Sequence, residues 1–221
     1  KYRSIFLEPI QRNTMASITI CTLDILKYDP NAIILALPAD HIIKQKTSFL
    51  KVVKESVKIT EKKFITTFGI KPDKPNPSMG YITAGKKKIY NGFLIDNFVE
   101  KPPIDLAKKL TYSKRSFWNS GIFLFSATDF INEAEKYAKQ TINLAYKVQK
   151  SIKQDMIFNV IPKNPFTKFD NEPIDKTIVE KTKNGVTVPV DIEWFDVGSW
   201  KSVLDVIKKD KNNNSINKNV F

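Results

Sequence analysis

The 221-residue sequence contains one cysteine, Cys21, and one histidine, His41. A single cysteine excludes an intrachain disulfide, and one histidine beside it leaves too few soft ligands for a protein zinc site. Cys21 stands in an apolar stretch with no histidine nearby in sequence to activate it, so it is expected in the core. No run approaches the roughly twenty apolar residues of a membrane span, and the first residues, "KYRSIFLEPIQRN", lack the apolar centre of a signal peptide. A membrane partner is therefore not expected, and the cytoplasm is the default location. Aromatic residues interleaved with basic ones, as needed to stack bases, are also missing, which argues against nucleic acid.

What is abundant is lysine. Thirty-six basic against 23 acidic residues give a net charge of +13. The clusters are short and scattered ("EKKF", "GKKKIY", "VIKKDK"), so a solvated basic surface is expected, suited at most to a phosphate-bearing metabolite. Apolar residues make up 42%, enough for one packed domain of this length.

The order of elements points to an α/β domain. "SIFLEP" reads as a strand, "TMASITICTLDILKY" as a helix that Asn13 or Thr14 caps, and the continuous "AIILAL" as a strand buried on both faces of a parallel or mixed sheet. A helix over 48–59 and the strand "KFITTFGI" follow, which makes a layered fold. The proline-punctuated "KPDKPNPSMGYI" is a loop. "GYITAG", "KKKIYNGFLIDNFVEKP" and "FWNSGIFLFSA" are shorter strands, and 128–151 is one helix. "NPFTKFDNEPIDKTIVEKTKNG" reads as an irregular surface segment that turns into a short helix, "GVTVPVD" as a strand and "DVGSWKSVLDVIKKD" as a turn entering a helix. Residues 1–210 are assigned to one catalytic region and 211–221, "KNNNSINKNVF", to a polar disordered tail.

Five short sites place polar groups at element ends: "EPIQRNT", Asp40 with His41, "EKP", "WNSG" and "DVGSW". In open α/β sheets ligands collect beyond the carboxyl ends of strands. Asp40 and Asp196 would converge if their strands lie side by side. With triphosphate oxygens they would then complete an octahedral magnesium site; the local alternative is a pair of turn or helix caps. Lys101 suits a substrate phosphate and Glu100 suits sugar hydroxyls, against the alternative of a surface ion pair. Asn119 suits hydroxyl recognition from a turn. Arg12 and Asn13 precede a helix start that attracts anions, and Lys181 supplies a further cation. The residues alone indicate an α/β protein handling a polyol phosphate or a nucleotide.

In order and spacing, "LEPIQRNTMASI", "LALPADHII", "FGIKPDKPNPSMGYI", "FVEKP", "WNSGIFLF", "PIDKTIVEK" and "FDVGSW" resemble the bacterial mannose-1-phosphate guanylyltransferases of the sugar nucleotidyltransferase family. The resemblance implies a Rossmann-like mixed sheet of the nucleotide-diphospho-sugar transferase type. It also implies magnesium as cofactor, and GTP and mannose 1-phosphate as substrates. By similarity, Asp40 and Asp196 hold the metal; Glu100, Lys101, Asn119 and Gly80 meet the sugar phosphate; and Arg12, Asn13 and Thr14 lie in the guanine-binding turn. The family's glycine-rich GGxGTRLxPLS signature, which cradles the triphosphate, has no counterpart in the 39 residues before Asp40. The chain is therefore expected to be N-terminally truncated, weakly active alone, and open to a homo-oligomer or a complementing N-terminal piece. The sugar loop also departs: Ser78 and Met79 stand in "PSMGYI" where "TGYGYI" is common, and Lys176 and Thr177 replace a usual tyrosine and alanine. Rival readings are a uridylyl- or thymidylyltransferase acting on glucose 1-phosphate, a metal-dependent glycosyltransferase, and a non-catalytic fragment that complements or regulates an intact homologue.

Overall fold

The computed structural model describes residues 4–198 and 200–207, so the expected polar tail lies outside the described residues. Eleven strands and seven helices are described. The strands are β1 (Ile5–Leu7), β2 (Ile33–Ala36), β3 (His41–Ile43), β4 (Ile65–Ile70), β5 (Tyr81–Ile89), β6 (Gly92–Val99), β7 (Ser116–Ser126), β8 (Lys153–Asp155), β9 (Phe158–Val160), β10 (Gly185–Val190) and β11 (Trp194–Asp196). The helices are α1 (Asn13–Leu26), α2 (Lys46–Thr60), α3 (Ile104–Thr111), α4 (Ala127–Tyr137), α5 (Lys139–Ser151), α6 (Lys163–Phe166) and α7 (Trp200–Val206), with one π-helical turn at Asp175–Val179.

Six strands form the main sheet in the order β2-β7-β4-β10-β6-β5. Within it only β4 and β10 pair in parallel; the other neighbours are antiparallel. The sheet is thus mixed, as expected. Strand β7 is long enough to serve three partners: Ser116–Trp118 pairs with β5, the middle with β4, and Phe123–Ser126 with β2. Helices cover both faces. In β7, Phe123 and Phe125 point into the core under α1, α4 and α5, while Ile122 and Leu124 point into the core under α2, as the two-residue strand period requires. Strand β4 is buried at all six positions, Thr66 and Thr67 included, so the strand enclosed on both faces is this one.

Several expectations need correction. Strand β2 is not buried on both faces: it is only half-buried over most of its length and forms an edge of the sheet, paired with β7 alone. Strand β1 belongs to a separate small sheet with β9 and β8. The single helix expected over 128–151 is two helices, because Ala138 (φ −144°, ψ 41°) leaves helical geometry, and both halves pack on α1. Neither Asn13 nor Thr14 caps α1. The Asn13 side chain accepts only from the Thr14 amide, and the Thr14 hydroxyl accepts from the amide of the fully buried Ile174, which has no water to turn to. The polar stretch 164–185 contains the expected short helix, as the π-helical turn at Asp175–Val179, but it is not a surface segment, since Phe166, Phe169, Ile174, Ile178 and Val179 all reach the core. Cys21 is half-buried; burial, then Asp24 and Glu8, push its thiol up to about 11, which leaves it protonated and inert at neutral pH.

Candidate active site

A cleft of about 470 Å³ opens beyond the carboxyl end of β2. Its lining brings together residues far apart in sequence: Leu37 and Pro38 after β2, Gly80 before β5, Glu100 and Lys101 after β6, Asn119 in β7, and Asp175 at the π-helical turn. Thr14 and Ser17 of α1 form one wall; His41, Trp194 and Asp196 form another.

Asn119 is aimed by a bulge rather than a turn. Between Thr67 and Gly69 of β4 the register on β7 jumps from Phe123 to Asn119, and Gly121 in the extra segment has φ +68°. The side chain of Asn119 is fully oriented. Its Oδ1 accepts from the Thr67 hydroxyl at 2.8 Å and from the Gly121 amide at 3.3 Å, and its Nδ2 donates to Asp175 Oδ1. Composition and spacing do not mark Thr67 or Asp175 as site residues; Asp175 lies in a polar segment that reads as surface, although it falls within the family-like string "PIDKTIVEK".

Strand β6 ends at Val99, and Pro102 follows, so Glu100 and Lys101 stand at the strand mouth as expected. Their charges are 3.7 Å apart, and Lys101 has φ 47°. Glu100 Oε2 occupies the space above Gly80, only 2.6 Å from where a Cβ would stand. A Cβ there would also stand 3.2 Å from Phe98 Cζ, so Gly80→Ala should displace the flexible carboxylate and shift the Phe98 ring by a few tenths of an ångström. The variant is expected to melt within a few degrees of the parent and to lose about tenfold in affinity for the polyol phosphate that the sequence leads one to expect, as titration calorimetry would read.

The two aspartates meet through β3 and β11. These strands pair antiparallel with Asp196 opposite His41, and the Val197 amide donates to the Asp40 carbonyl at 3.1 Å. The strand that supports Asp40 is therefore β3, which follows it, and not β2. A Cβ on Gly198 would stand 3.1 Å from Asp196 Oδ1 and 3.7 Å from Asp40 Oδ2, so the bare glycine leaves a hollow that both carboxylates face. Both aspartates are exposed. Among the described residues no group of three or more His, Cys, Asp or Glu could hold a metal ion, so the pair suits only a hard cation that takes its remaining ligands from water or a substrate. His41 lies edge-on to Trp194, whose Nε1 donates to His41 Nδ1 at 3.2 Å. That bond requires an unprotonated Nδ1, and burial lowers the imidazole pKa against the opposing pull of Asp196 and Asp40.

The acidity of Asp175 is the most displaced in the cleft. Burial is the main cause and the Glu100 charge adds to it; its own backbone amide, Asn119 and Lys101 oppose, and the net result is a rise from 3.8 to about 6. A carboxyl group raised in this way is ionised in the unfolded chain before it is ionised in the folded one. Its stabilising contribution is complete below pH 3.8 and is lost as pH rises through about 6. Asp175→Asn, which keeps an acceptor for Asn119, should exceed the parent in stability by on the order of 2 kcal/mol at pH 8 and match it near pH 4 in urea titrations.

Not every expected residue lines this cleft. Asp40 does not; it stands beside Asp196, which does. Thr14 does, but Arg12 and Asn13 open onto a separate hollow with Glu8, Gln11 and Asn171, and the Arg12 guanidinium donates to the Thr167 carbonyl at 2.8 Å. Lys181 lines a third hollow with Tyr137, Lys176 and Glu180.

The nucleotidyl transferase family model matches residues 3–213. The chain belongs to that family. It is 35% identical over 215 residues to the xanthan biosynthesis protein XanB of Xanthomonas campestris pv. campestris (strain B100), covering 97% of this chain and 46% of the relative. It is likewise 35% identical over 219 residues to a mannose-1-phosphate guanylyltransferase of Escherichia coli, covering 96% of this chain and 47% of the relative. The chain thus spans about half the length of the curated relatives it matches. Among solved structures, a Helicobacter pylori protein described as mannose-6-phosphate isomerase shares the fold with a TM-score of 0.79 at 24% identity, over 87% of this chain and 74% of the other. A Thermus thermophilus protein described as mannose-1-phosphate geranyltransferase aligns with a TM-score of 0.78 at 22% identity, over 92% of this chain and 58% of the other. Among the described residues no helix is long and apolar enough to cross a membrane.

Proposed function

We propose that this chain forms the sugar-binding and metal-binding part of a mannose-1-phosphate guanylyltransferase, which converts GTP and mannose 1-phosphate to GDP-mannose and pyrophosphate in the cytoplasm. The observation that carries the proposal is the β3–β11 ladder, which sets Asp40 beside Asp196, and Asp196 in turn lines a cleft with Gly80, Glu100, Lys101 and Asn119. The names of the relatives point the same way.

Each side chain then has a task. Lys101 offers a mobile positive charge to the sugar phosphate, and Glu100 accepts hydrogen bonds from sugar hydroxyls at the floor above Gly80. Asn119, held in one orientation by Thr67 and Asp175, fixes the sugar's position. Asp40 and Asp196 would hold magnesium, which supplies charge neutralisation between the two polyanions. The nucleophile is the phosphate oxygen of mannose 1-phosphate. It is already anionic, so the residues align it in line with the α-phosphorus of GTP and need not remove a proton.

The proposal is tested by a panel of GTP, UTP and dTTP against mannose 1-phosphate and glucose 1-phosphate, with pyrophosphate release measured from the full gene product. Release with GTP and mannose 1-phosphate above all other pairs supports it. Preference for UTP or dTTP with glucose 1-phosphate would assign the cleft to another sugar nucleotidyltransferase, and no release with any pair would favour a non-catalytic role.

A further inference from the structure

We infer that Asp175 binds the sugar directly, as the second carboxylate of a pair with Glu100 that receives two hydroxyl groups of the ligand. This rests on the proposed reading of the cleft as a sugar phosphate site and adds a residue to it. Both carboxylates line the same cleft, and the groups between them are contiguous: Glu100 Oε2 lies over Gly80, the Asn119 side chain touches the same space, and Asn119 Nδ2 donates to Asp175 Oδ1. That bond uses one Asp175 oxygen; no side-chain donor among the described residues reaches Oδ2. Asn119 spends its carbonyl on Thr67 and Gly121 and has one further amide hydrogen to give.

The chemistry of the resulting surface selects its ligand. Two carboxylates and an amide hydrogen, with Lys101 at the edge, favour a neutral donor-rich group with an anion attached on the lysine side. A polyol phosphate has this character; a second anion in the same place would be repelled. The mutual repulsion of Glu100 and Asp175, part of what weakens the acidity of Asp175, is relieved when hydroxyl donors arrive between them. Asp175 reaches the cleft because the π-helical turn that begins with it is anchored by Ile178 and Val179 in the core, so the carboxylate is carried on a packed element.

The test is titration calorimetry on the full chain at pH 8, using mannose 1-phosphate, its monodeoxy analogues, glucose 1-phosphate and inorganic phosphate. Asp175→Asn keeps an acceptor for Asn119 but turns the second oxygen into a donor; Asp175→Ala removes both. The expected result is a loss of roughly ten- to hundredfold in mannose 1-phosphate affinity for both variants, with inorganic phosphate unaffected. In addition, one monodeoxy analogue should bind the parent and Asp175→Ala about equally weakly, a coupling that a purely structural role would not produce. Unchanged mannose 1-phosphate affinity, or an equal loss for every analogue, overturns the inference and leaves the proposed function standing. Binding of glucose 1-phosphate instead, lost on substitution, supports the role of Asp175 and overturns the choice of mannose. Absence of binding by every sugar phosphate overturns both.

Discussion

Asp40→Asn and Asp196→Asn should each lower GDP-mannose formation by roughly 10²–10³-fold while leaving the melting temperature close to that of the parent. Each substitution removes one negative charge from the hollow above Gly198 without changing side-chain size. The local hydrogen bonds survive: the Asp40 contact with Val197 is made by the backbone, and an asparagine at 196 still accepts from the Gly198 amide, now at 2.9 Å. Exposed carboxylates of this kind contribute little to folding, so the loss falls on cation binding and on charge neutralisation in the transition state. The two effects separate in a magnesium titration, where higher ion concentration should recover part of the rate in either variant. Unchanged magnesium-dependent turnover in both variants would remove the pair from the metal role.

Phe130→Ala should cost about 3–5 kcal/mol, the largest stability loss expected from a single side chain here. Phe130 is fully buried and stacks on Phe125 of β7 at a centroid distance of 4.7 Å, so truncation opens a hole between α4 and the sheet. In a chain of this size the melting temperature should fall by roughly 6–20 °C. Tyr146→Ala on α5, at a position 46% exposed, is the matched control and should stay within about 0.5 kcal/mol of the parent. Equal effects at the two positions would contradict the layer arrangement described for the core.

The parts of the fold that were readable from sequence are those in which one element carries its own signal. The runs of β-branched and aromatic residues in β4 and β10 announce strands, and the apolar stripe of α2 announces a helix. Strands β3 and β11 carry no such signal, because three residues are too few to show a period. Their pairing is what joins Asp40 to Asp196, so the sequence supplied two aspartates at element ends but not the contact between them. The break at Ala138 was hidden for a different reason: neither glycine nor proline marks it, and it follows from two helix halves packing on α1. Asp175 was missed because the polar stretch around it conceals five widely spaced apolar anchors, and only tertiary packing reveals that they turn the segment inward. Asn119, by contrast, was legible as a polar group next to a glycine, although the glycine makes a bulge within one strand rather than a turn between two.

The account stands most directly on one reaction. Full gene product incubated with magnesium, GTP and mannose 1-phosphate, followed by phosphorus NMR, should show the diphosphate signals of GDP-mannose growing in step with pyrophosphate, and both should slow by about a hundredfold or more when Asp40 is replaced by asparagine. Mannose 1-phosphate that remains inert while mannose passes from GDP-mannose to an acceptor would contradict the account and make the cleft that of a glycosyltransferase.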